Sequence, residues 1–195
     1  MTVMYVGVDA CKTSRPLHFV PAHRPRPRPR ASMPAAEFRI AAATERDVPL
    51  ILELIKGLAS YERLAHEVMA TEDGLRATLF GARPDAEVVI AWAGDEATGF
   101  ALFFHNYSTF LGRRGLYLED LFVRPAWRGR GLGRRLLAHL AALAVERGCG
   151  RFEWAVLDWN EDAIRFYRSV GAVSMDDWTT YRLTGEALAR FASAG

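Results

Sequence analysis

The chain has 195 residues, of which half are apolar and a quarter are charged, and its formal net charge is +2. This composition is typical of a globular protein and argues against a wholly disordered or collagen-like chain. No run of about 18 apolar residues is present, so we expect no membrane-spanning helix. Two cysteines are too few for a disulfide framework or a four-cysteine zinc site.

The positive charge is concentrated in the first 36 residues. They carry six basic residues against one acidic residue, a net charge of +5, whereas the other 159 carry 19 basic and 22 acidic residues, a net charge of −3. Six of the nine prolines also lie there, including the alternating Arg–Pro run of residues 24–30, so we expect a disordered tail. Three interpretations stay open: a basic arm that binds nucleic acid or an acidic surface, a targeting segment, and an over-extended reading frame whose true start is Met33.

From about residue 37 to residue 195 the pattern of apolar residues predicts a single mixed α/β domain. A short strand at 37–40 is followed by a helix that Thr44 can cap and that carries one apolar stripe to about Tyr61. The pattern then predicts, in order, a helix near 71–80, strands at 86–93, 99–107 and 117–123, a long helix at 131–147, a strand at 151–157, a helix at 161–170, and one or two strands within 173–183.

The segment that joins the strand at 117–123 to the long helix has the composition of a pyrophosphate-binding loop. Gly129, Gly131 and Gly133 let the backbone approach a bulky anion, and the unpaired amides of a helix start favour negative charge. Positive charge comes from four arginines, Arg128, Arg130, Arg134 and Arg135. The segment is neither the nucleoside-triphosphate loop, which needs Gly-Lys-Ser/Thr, nor the dinucleotide fingerprint, whose glycines are spaced differently. The alternative is an arginine- and glycine-rich loop without a ligand.

This loop resembles the coenzyme A signature of the Gcn5-related N-acetyltransferase (GNAT) superfamily in its motif Arg128-x-x-Gly131-x-Gly133 between a strand and a helix. Other segments resemble its diamine (spermidine/spermine) and thialysine acetyltransferase branch, namely residues 54–62, 117–123, 159–161 and 166–167. The resemblance covers roughly residues 37–190. It implies a mixed, mostly antiparallel sheet with helices on both faces, whose fourth and fifth strands splay apart to admit acetyl-CoA. It also implies direct acetyl transfer in a ternary complex by a homodimer, which we expect in the cytoplasm.

Two residues are predicted to carry the chemistry. An alkyl amine is mostly protonated at neutral pH, so a proton must leave before the nitrogen attacks, and the departing thiolate is best protonated. Glu119 interrupts an apolar strand and is the predicted base, directly or through water; the alternative is a solvent-facing or arginine-paired side chain. In a regular strand its neighbour Asp120 would point to the opposite face. By the resemblance Tyr167 is the acid for the thiolate, whereas its spacing alone fits a core residue.

The resemblance also assigns the residues that bind the acetyl donor. The pantetheine arm would pair with the backbone after Glu119 like an added strand, and Asn160 would donate a hydrogen bond to it; the alternative for Asn160 is a loop cap. The pyrophosphate would lie on the glycine-rich loop. The complete predicted set is Leu121, Phe122, Val123, Arg128, Gly129, Arg130, Gly131, Leu132, Gly133, Arg134 and Asn160.

The acceptor amine is less closely defined. The resemblance maps Tyr61 and Glu62 to its pocket together with Glu119, and the alternative is that the first two are exposed helix residues. Trp154 either lines the same pocket or fills the core. The polyamine enzymes carry Tyr-Asp-Pro-Trp before the fourth strand, but residues 107–110 here read Tyr-Ser-Thr-Phe, close to the thialysine branch. The missing carboxylate favours a smaller amine or an amino-acid side chain over a polyamine.

The leading hypothesis is therefore an acetyl-CoA-dependent N-acetyltransferase for the primary amine of a small diamine, thialysine-like or lysine-like molecule. The alternatives are acetylation of a protein lysine or an antibiotic amine, a non-catalytic acyl-CoA sensor, and a nucleic-acid-binding protein led by the tail. The net charge of −3 outside the tail argues against nucleic acid. No metal is expected, because His66, His105 and His139 lack metal-ligand spacing.

Overall fold

The computed structural model describes residues 38–194, so the predictions for the Arg/Pro-rich segment of residues 1–36 lie outside the described residues. No helix within 38–194 is long and apolar enough to cross a membrane. The helices and strands in chain order are β1 Phe38–Ala42, α1 Val48–Tyr61, α2 Glu72–Phe80, β2 Glu87–Ala93, β3 Glu96–Ser108, β4 Arg113–Val123, α3 Leu132–Glu146, β5 Phe152–Trp154, α4 Glu161–Ser169 and α5 Gly185–Ala192.

The five strands form one sheet in the order β1-β2-β3-β4-β5. The first three neighbouring pairs are antiparallel, and β4 and β5 are parallel. β5 pairs with β4 only from Leu116 to Leu118, while β4 continues to Val123 beside β3. The fourth and fifth strands therefore part after Leu118, and the predicted mixed, mostly antiparallel sheet with splayed strands is confirmed.

Helices cover both faces of this sheet, as predicted. α1 and α2 pack on one face in a cluster that includes Ile51, Leu54 and Phe100, and α3 and α4 pack on the other with Phe103, Leu136 and Leu140. Each fully buried side chain of this size contributes roughly 1.5–3 kcal/mol. Because both faces are covered there, β2 after Glu87 and β3 over residues 99–104 are apolar rather than alternating.

Short polar turns start the first two helices. A one-turn 3-10 helix, Glu45–Asp47, precedes α1, and the Asp47 carboxylate accepts hydrogen bonds from the amide and hydroxyl of Thr44 at 2.7 and 2.8 Å. The predicted cap at Thr44 thus acts one turn before α1 itself begins. In α2 the hydroxyl oxygen of Thr71 accepts from the amide of Gly74 at 3.1 Å, which satisfies one amide of the first turn.

The C-terminal part of the domain differs from the prediction. Residues 173–183 form no strand in the described structure, and the chain instead continues into α5, which the apolar pattern did not indicate. A strand needs a neighbour for its backbone hydrogen bonds, and this segment pairs with none of the five described strands. Several large apolar side chains remain exposed there as a result: Val173, Met175, Trp178, Tyr181 and Leu183.

A charged cluster joins the C-terminal end of α3 to the sheet. Both Nη nitrogens of Arg147 donate to the carboxylate of Glu87, and this hydrogen bonding holds the pKa of Glu87 below its ordinary value. Burial, and then the positive charge of Arg147, lowers the pKa of the neighbouring His105. His105 pairs in register with Leu116, which is buried under α3, so it lies on the α3 face of the sheet.

These shifts predict a two-step loss of stability in acid. Below the ordinary His value of 6.5 the unfolded chain binds a proton that the folded chain, with its lowered His105 pKa, takes up only at more acidic pH. Below the ordinary Glu value of 4.5 the contribution of Glu87 fades in the same direction. Urea denaturation across this pH range should show that His105→Gln flattens the first step only. An unchanged first step in His105→Gln would contradict this assignment, and His66→Gln controls for loss of an exposed histidine.

Candidate active site

Glu119 is the extra residue of a β-bulge in β4. Leu102 of β3 pairs with Asp120, and the residue after Leu102 pairs with Leu118, so Glu119 has no pairing position of its own on β3. Leu118 and Leu121 both enter the cluster under α3, which leaves Glu119 and Asp120 on the face that carries α1. The opposite-face position of Asp120 was expected only for a regular strand, and the bulge means that this condition is not met.

The far end of β4 presents its backbone toward the gap beside β5. The amide of Arg124 donates to the carbonyl of Thr98 on β3 at 2.9 Å. The carbonyl of Val123 belongs to the same trans peptide and therefore points the other way, into the gap. There it accepts a hydrogen bond from Nε of Arg128 at 2.9 Å. The edge of β4 beyond Glu119 is thus available to an extended ligand wherever Arg128 leaves room.

Arg128, which is predicted to bind the acetyl donor, contacts Tyr61, which is predicted to line the pocket of the acceptor amine. Its guanidinium carbon lies 4.6 Å from the ring centroid of Tyr61, and Tyr61 in turn contacts the ring of Trp159 at 6.0 Å. Glu62, which follows α1, is only 9% exposed, so the interpretation of this residue as an exposed helix position is excluded. An open pocket of about 230 Å³ lies beside these rings and is lined by Tyr61, Trp159, Asn160, Glu161, Asp162 and Arg165.

The glycine-rich loop has the backbone that a phosphate cradle requires. Gly129 and Gly131 have φ angles of 73° and 77°, in the left-handed region that favours glycine. A β-carbon at either position would meet no atom within 4 Å, so space remains open above the backbone. Gly131 is the N-cap of α3, whose first residues, Leu132 and Gly133, are buried. The first amides of α3 have no partner within the helix, and the dipole of α3 favours an anion at this end.

Arginines surround this helix start and rest on aromatic rings. The guanidinium carbon of Arg130 lies 4.6 Å from the ring centroid of Trp127, and that of Arg134 lies 5.0 Å from the ring centroid of Phe166. Such contacts are worth roughly 0.5–1 kcal/mol at exposed sites, and they hold the charge beside the loop. The residues present therefore fit a bulky, multiply charged anion.

α4 carries Tyr167, the predicted acid, and begins after Asn160, which is predicted to contact the acetyl donor. The side-chain oxygen of Asn160 accepts from the amide of Ala163 at 3.3 Å, so Asn160 caps α4. The ring of Tyr167 lies 5.1 Å from that of Trp154 and 5.7 Å from that of Phe166. Trp154 was expected either to line the acceptor pocket or to fill the core, and it packs against the core between the sheet and the helices α3 and α4.

Residues 55–172, more than half of the chain, match the model of the Acetyltransferase (GNAT) family. The chain belongs to this family. It is 37% identical to L-ornithine N5-acetyltransferase NATA1 of Arabidopsis thaliana, over 77% of this chain and 86% of that protein. It is 38% identical to thialysine N-epsilon-acetyltransferase of Mus musculus, over 80% of this chain and 98% of that protein.

Solved structures agree with the GNAT fold. An integron cassette protein from the mobile metagenome of V. cholerae superposes with a TM-score of 0.66 at 27% identity, over 80% of this chain and 97% of its own. The aminoglycoside acetyltransferase meta-AAC0020 from an uncultured soil sample superposes with a TM-score of 0.65 over 75% of this chain and 95% of its own. At 18% identity the second likeness shows the fold alone.

Glu153 is a residue of this GNAT domain that the sequence reasoning missed. It pairs in register with Tyr117, while its neighbours Phe152 and Trp154 pack toward α3 and α4, so Glu153 faces the α1 side. Burial, and then the carboxylates of Glu119 and Glu153, raises the pKa of Tyr117. Glu153 thus lies beside Tyr117 in register, and Glu119 lies two residues further along β4. The alternation Phe-Glu-Trp in the predicted strand was the signal that could have identified Glu153.

Proposed function

We propose that residues 37–195 form one catalytic domain that transfers an acetyl group from acetyl-CoA to the primary amine of a small molecule, in a ternary complex. The observation that carries the proposal is the bulge, which puts the Glu119 carboxylate at the point where β4 and β5 part. The names of the relatives, an ornithine and a thialysine acetyltransferase, support an amine on an amino-acid-like molecule.

We propose that the acetyl donor lies along the gap, where it supplies the thioester. The amides at the start of α3 and the arginines beside them would hold its pyrophosphate. The backbone of Leu121, Phe122 and Val123 would pair with the pantetheine arm like an added strand. The carbonyl of Val123 already accepts from Arg128, but a carbonyl oxygen has two lone pairs and can accept a second hydrogen bond.

Glu119 and Tyr167 divide the proton transfers in this proposal. A carboxylate oxygen of Glu119 takes the proton from the acceptor ammonium, directly or through water, and leaves a nitrogen lone pair that can attack. As the nitrogen bonds the acetyl carbon and the C–S bond breaks, the hydroxyl of Tyr167 would donate its proton to the departing sulfur. The second proton that the nitrogen loses in becoming an amide would restore the Tyr167 hydroxyl, directly or through water. Because Glu119 lies on the α1 face and Tyr167 packs on the α4 side, base and acid reach the gap from opposite faces.

A thiol-release assay with acetyl-CoA tests the function directly. We expect turnover on one or more of ornithine, lysine, thialysine, putrescine and spermidine, and weaker turnover on aminoglycosides and lysine-containing peptides. Acetyl-CoA binding without turnover on any amine would favour the acyl-CoA sensor and contradict the proposal. Turnover on peptides or aminoglycosides alone would favour the corresponding alternative substrate.

Substitutions at the two proposed catalytic residues should lower turnover without weakening donor binding. Tyr167→Phe and Glu119→Gln keep the side-chain size but remove the proton donor and the proton acceptor, so we expect kcat to fall by about 10²-fold or more in each. Calorimetric titration should give a nearly unchanged Kd for acetyl-CoA. Asp120→Asn, one residue along the same bulge, is the control and should reduce kcat far less. An equal loss of binding and turnover in Tyr167→Phe would show a structural role instead.

We further propose that the enzyme is a homodimer. Large apolar side chains of the C-terminal segment, among them Trp178 and Tyr181, are 70% and 91% exposed in the single chain. The outer edge of β5 has no neighbouring strand in the described part of the chain. Exposed apolar patches and open strand edges are features that a second copy would cover.

Sedimentation analysis can check the oligomeric state and locate the contact. We expect the chain to sediment as a dimer, and Trp178→Ser combined with Tyr181→Ser to shift it toward the monomer. Trp and Tyr are enriched among interface hot spots, each of which costs about 2 kcal/mol or more when truncated. Met69→Ser, an 85% exposed apolar residue between α1 and α2, is the control and should not change the dimer. A monomeric parent protein would overturn this proposal.

A further inference from the structure

A polar cluster on the α1 face of the sheet reaches from β3 to β5 across β4, just before the point where β4 and β5 part. Nδ2 of Asn106 on β3 donates to Oε2 of Glu153 on β5 at 2.8 Å. Nε of Arg151, just before β5, lies 2.8 Å from the same oxygen. The side chains of Arg151 and Glu153 are 37% and 33% exposed, so the pair is accessible from solvent while its geometry is set by the sheet.

A glycine makes this contact across β4 possible. Gly115 of β4 lies between Asn106 of β3 and Arg151 before β5, and a β-carbon there would overlap the side-chain oxygen of Asn106 and come within 2.9 Å of Cγ of Arg151. Side chains from β3 and β5 therefore pass over β4 only because this position has none. The Arg151–Glu153 pair is therefore contacted by Asn106 from the far side of β4.

The distance from the Arg151–Glu153 pair to Glu119, the proposed base, matches the length of an amino-acid side chain that ends in an amine. Glu153 is in register with Tyr117, two residues before Glu119 on β4 and on the same face. Two residues of a strand advance about 7 Å. The side-chain amine of an ornithine- or lysine-like molecule is separated from its α-carbon by four or five bonds of ~1.5 Å, so it reaches ~5–6 Å when extended. A side-chain amine at Glu119 thus leaves the α-carbon of the same molecule near Glu153.

We propose that Arg151 and Glu153 bind the α-carboxylate and the α-ammonium of an amino acid whose side-chain amine is acetylated at Glu119. This inference rests on the proposed function and narrows the acceptor to a zwitterionic amino acid. The guanidinium of Arg151 presents paired donors that match a carboxylate, and the carboxylate of Glu153 matches the ammonium.

A simple diamine fits the same place less well. Its distal ammonium would find the Glu153 carboxylate already paired with Arg151, and the positive charge of Arg151 would repel it. The pair of opposite charges therefore selects for a head group that also carries both charges. Asn106 supports this selection because it holds Glu153 even when a substrate draws Arg151 away.

Two matched substrate pairs test the proposal, since L-ornithine and putrescine, like L-lysine and cadaverine, differ only in the carboxylate. We expect kcat/KM of the parent enzyme to favour the amino acid by at least about tenfold within at least one pair. Arg151→Gln should raise KM for that amino acid about tenfold or more with little change in kcat, and should leave the diamine unchanged or improved. Arg151→Lys keeps the positive charge but lacks the paired donors of a guanidinium. Its KM for the amino acid should therefore lie between those of the parent enzyme and of Arg151→Gln.

The controls distinguish a wrong assignment of Arg151 and Glu153 from a wrong proposed function and from unfolding of the variants. Arg114→Gln removes the same charge from β4 on the face opposite Glu119 and should not change the substrate ratio. Thermal unfolding of each variant monitors the fold, and Glu153→Gln, which should raise KM for both members of a pair, serves if Arg151→Gln unfolds. No turnover on any amine would overturn the proposed function. Turnover with equal kcat/KM for ornithine and putrescine and for lysine and cadaverine, or a ratio unaffected by Arg151→Gln, would overturn only the assignment of Arg151 and Glu153.

Discussion

β4 is hydrogen-bonded to β3 along most of its length but to β5 along only a short stretch, and the candidate active site depends on this difference. Its β3 edge is paired along nearly the whole strand, whereas its β5 edge is paired only from Leu116 to Leu118. Beyond Leu118 the backbone amides and carbonyls on this side must find partners other than a strand, because buried backbone groups are rarely left unpaired. Arg128 supplies one such partner for Val123 in this structure, and we propose that the acetyl donor supplies others.

The bulge at Glu119 lies where that one-sided pairing begins. A bulge increases the local twist of a strand and changes the direction of its side chains. Here it sets Glu119 and Asp120 on one face while Leu118 and Leu121 remain in the core on the other face, so the strand gains a carboxylate at the gap without losing packing. The proposed base, the polar cluster around Glu153 and the rings of Tyr61 and Trp159 then lie on the α1 side, and the buried Tyr167 lies on the α4 side.

Charge is arranged locally rather than by the net value of the chain. The overall charge of +2 combines +5 in residues 1–36 with −3 in the remainder. Within the domain, arginines stack on aromatic rings around the start of α3, and carboxylates are grouped near Tyr117. A basic loop at one end of the gap and acidic groups beside its middle are complementary to an anionic donor and a cationic amine, which suits the reaction that we propose.

The sequence by itself indicated a mixed α/β domain and most of its helices and strands, because apolar periodicity is a local property of each segment. The GNAT fold class, with helices on both faces of a splayed sheet, was implied by the resemblance of the glycine–arginine loop and other segments to that superfamily. The left-handed glycines before α3 are likewise a local feature of that loop. What only the tertiary structure decided are the features that need residues from separate strands. The pairing of β4 with β3 creates the bulge at Glu119. The absence of a side chain at Gly115 lets Asn106, Arg151 and Glu153 meet across β4. The segment 173–183 has an apolar pattern that fits a strand, yet it forms none in the single chain, because a strand is defined by a neighbour and the sequence of one segment does not contain its neighbour.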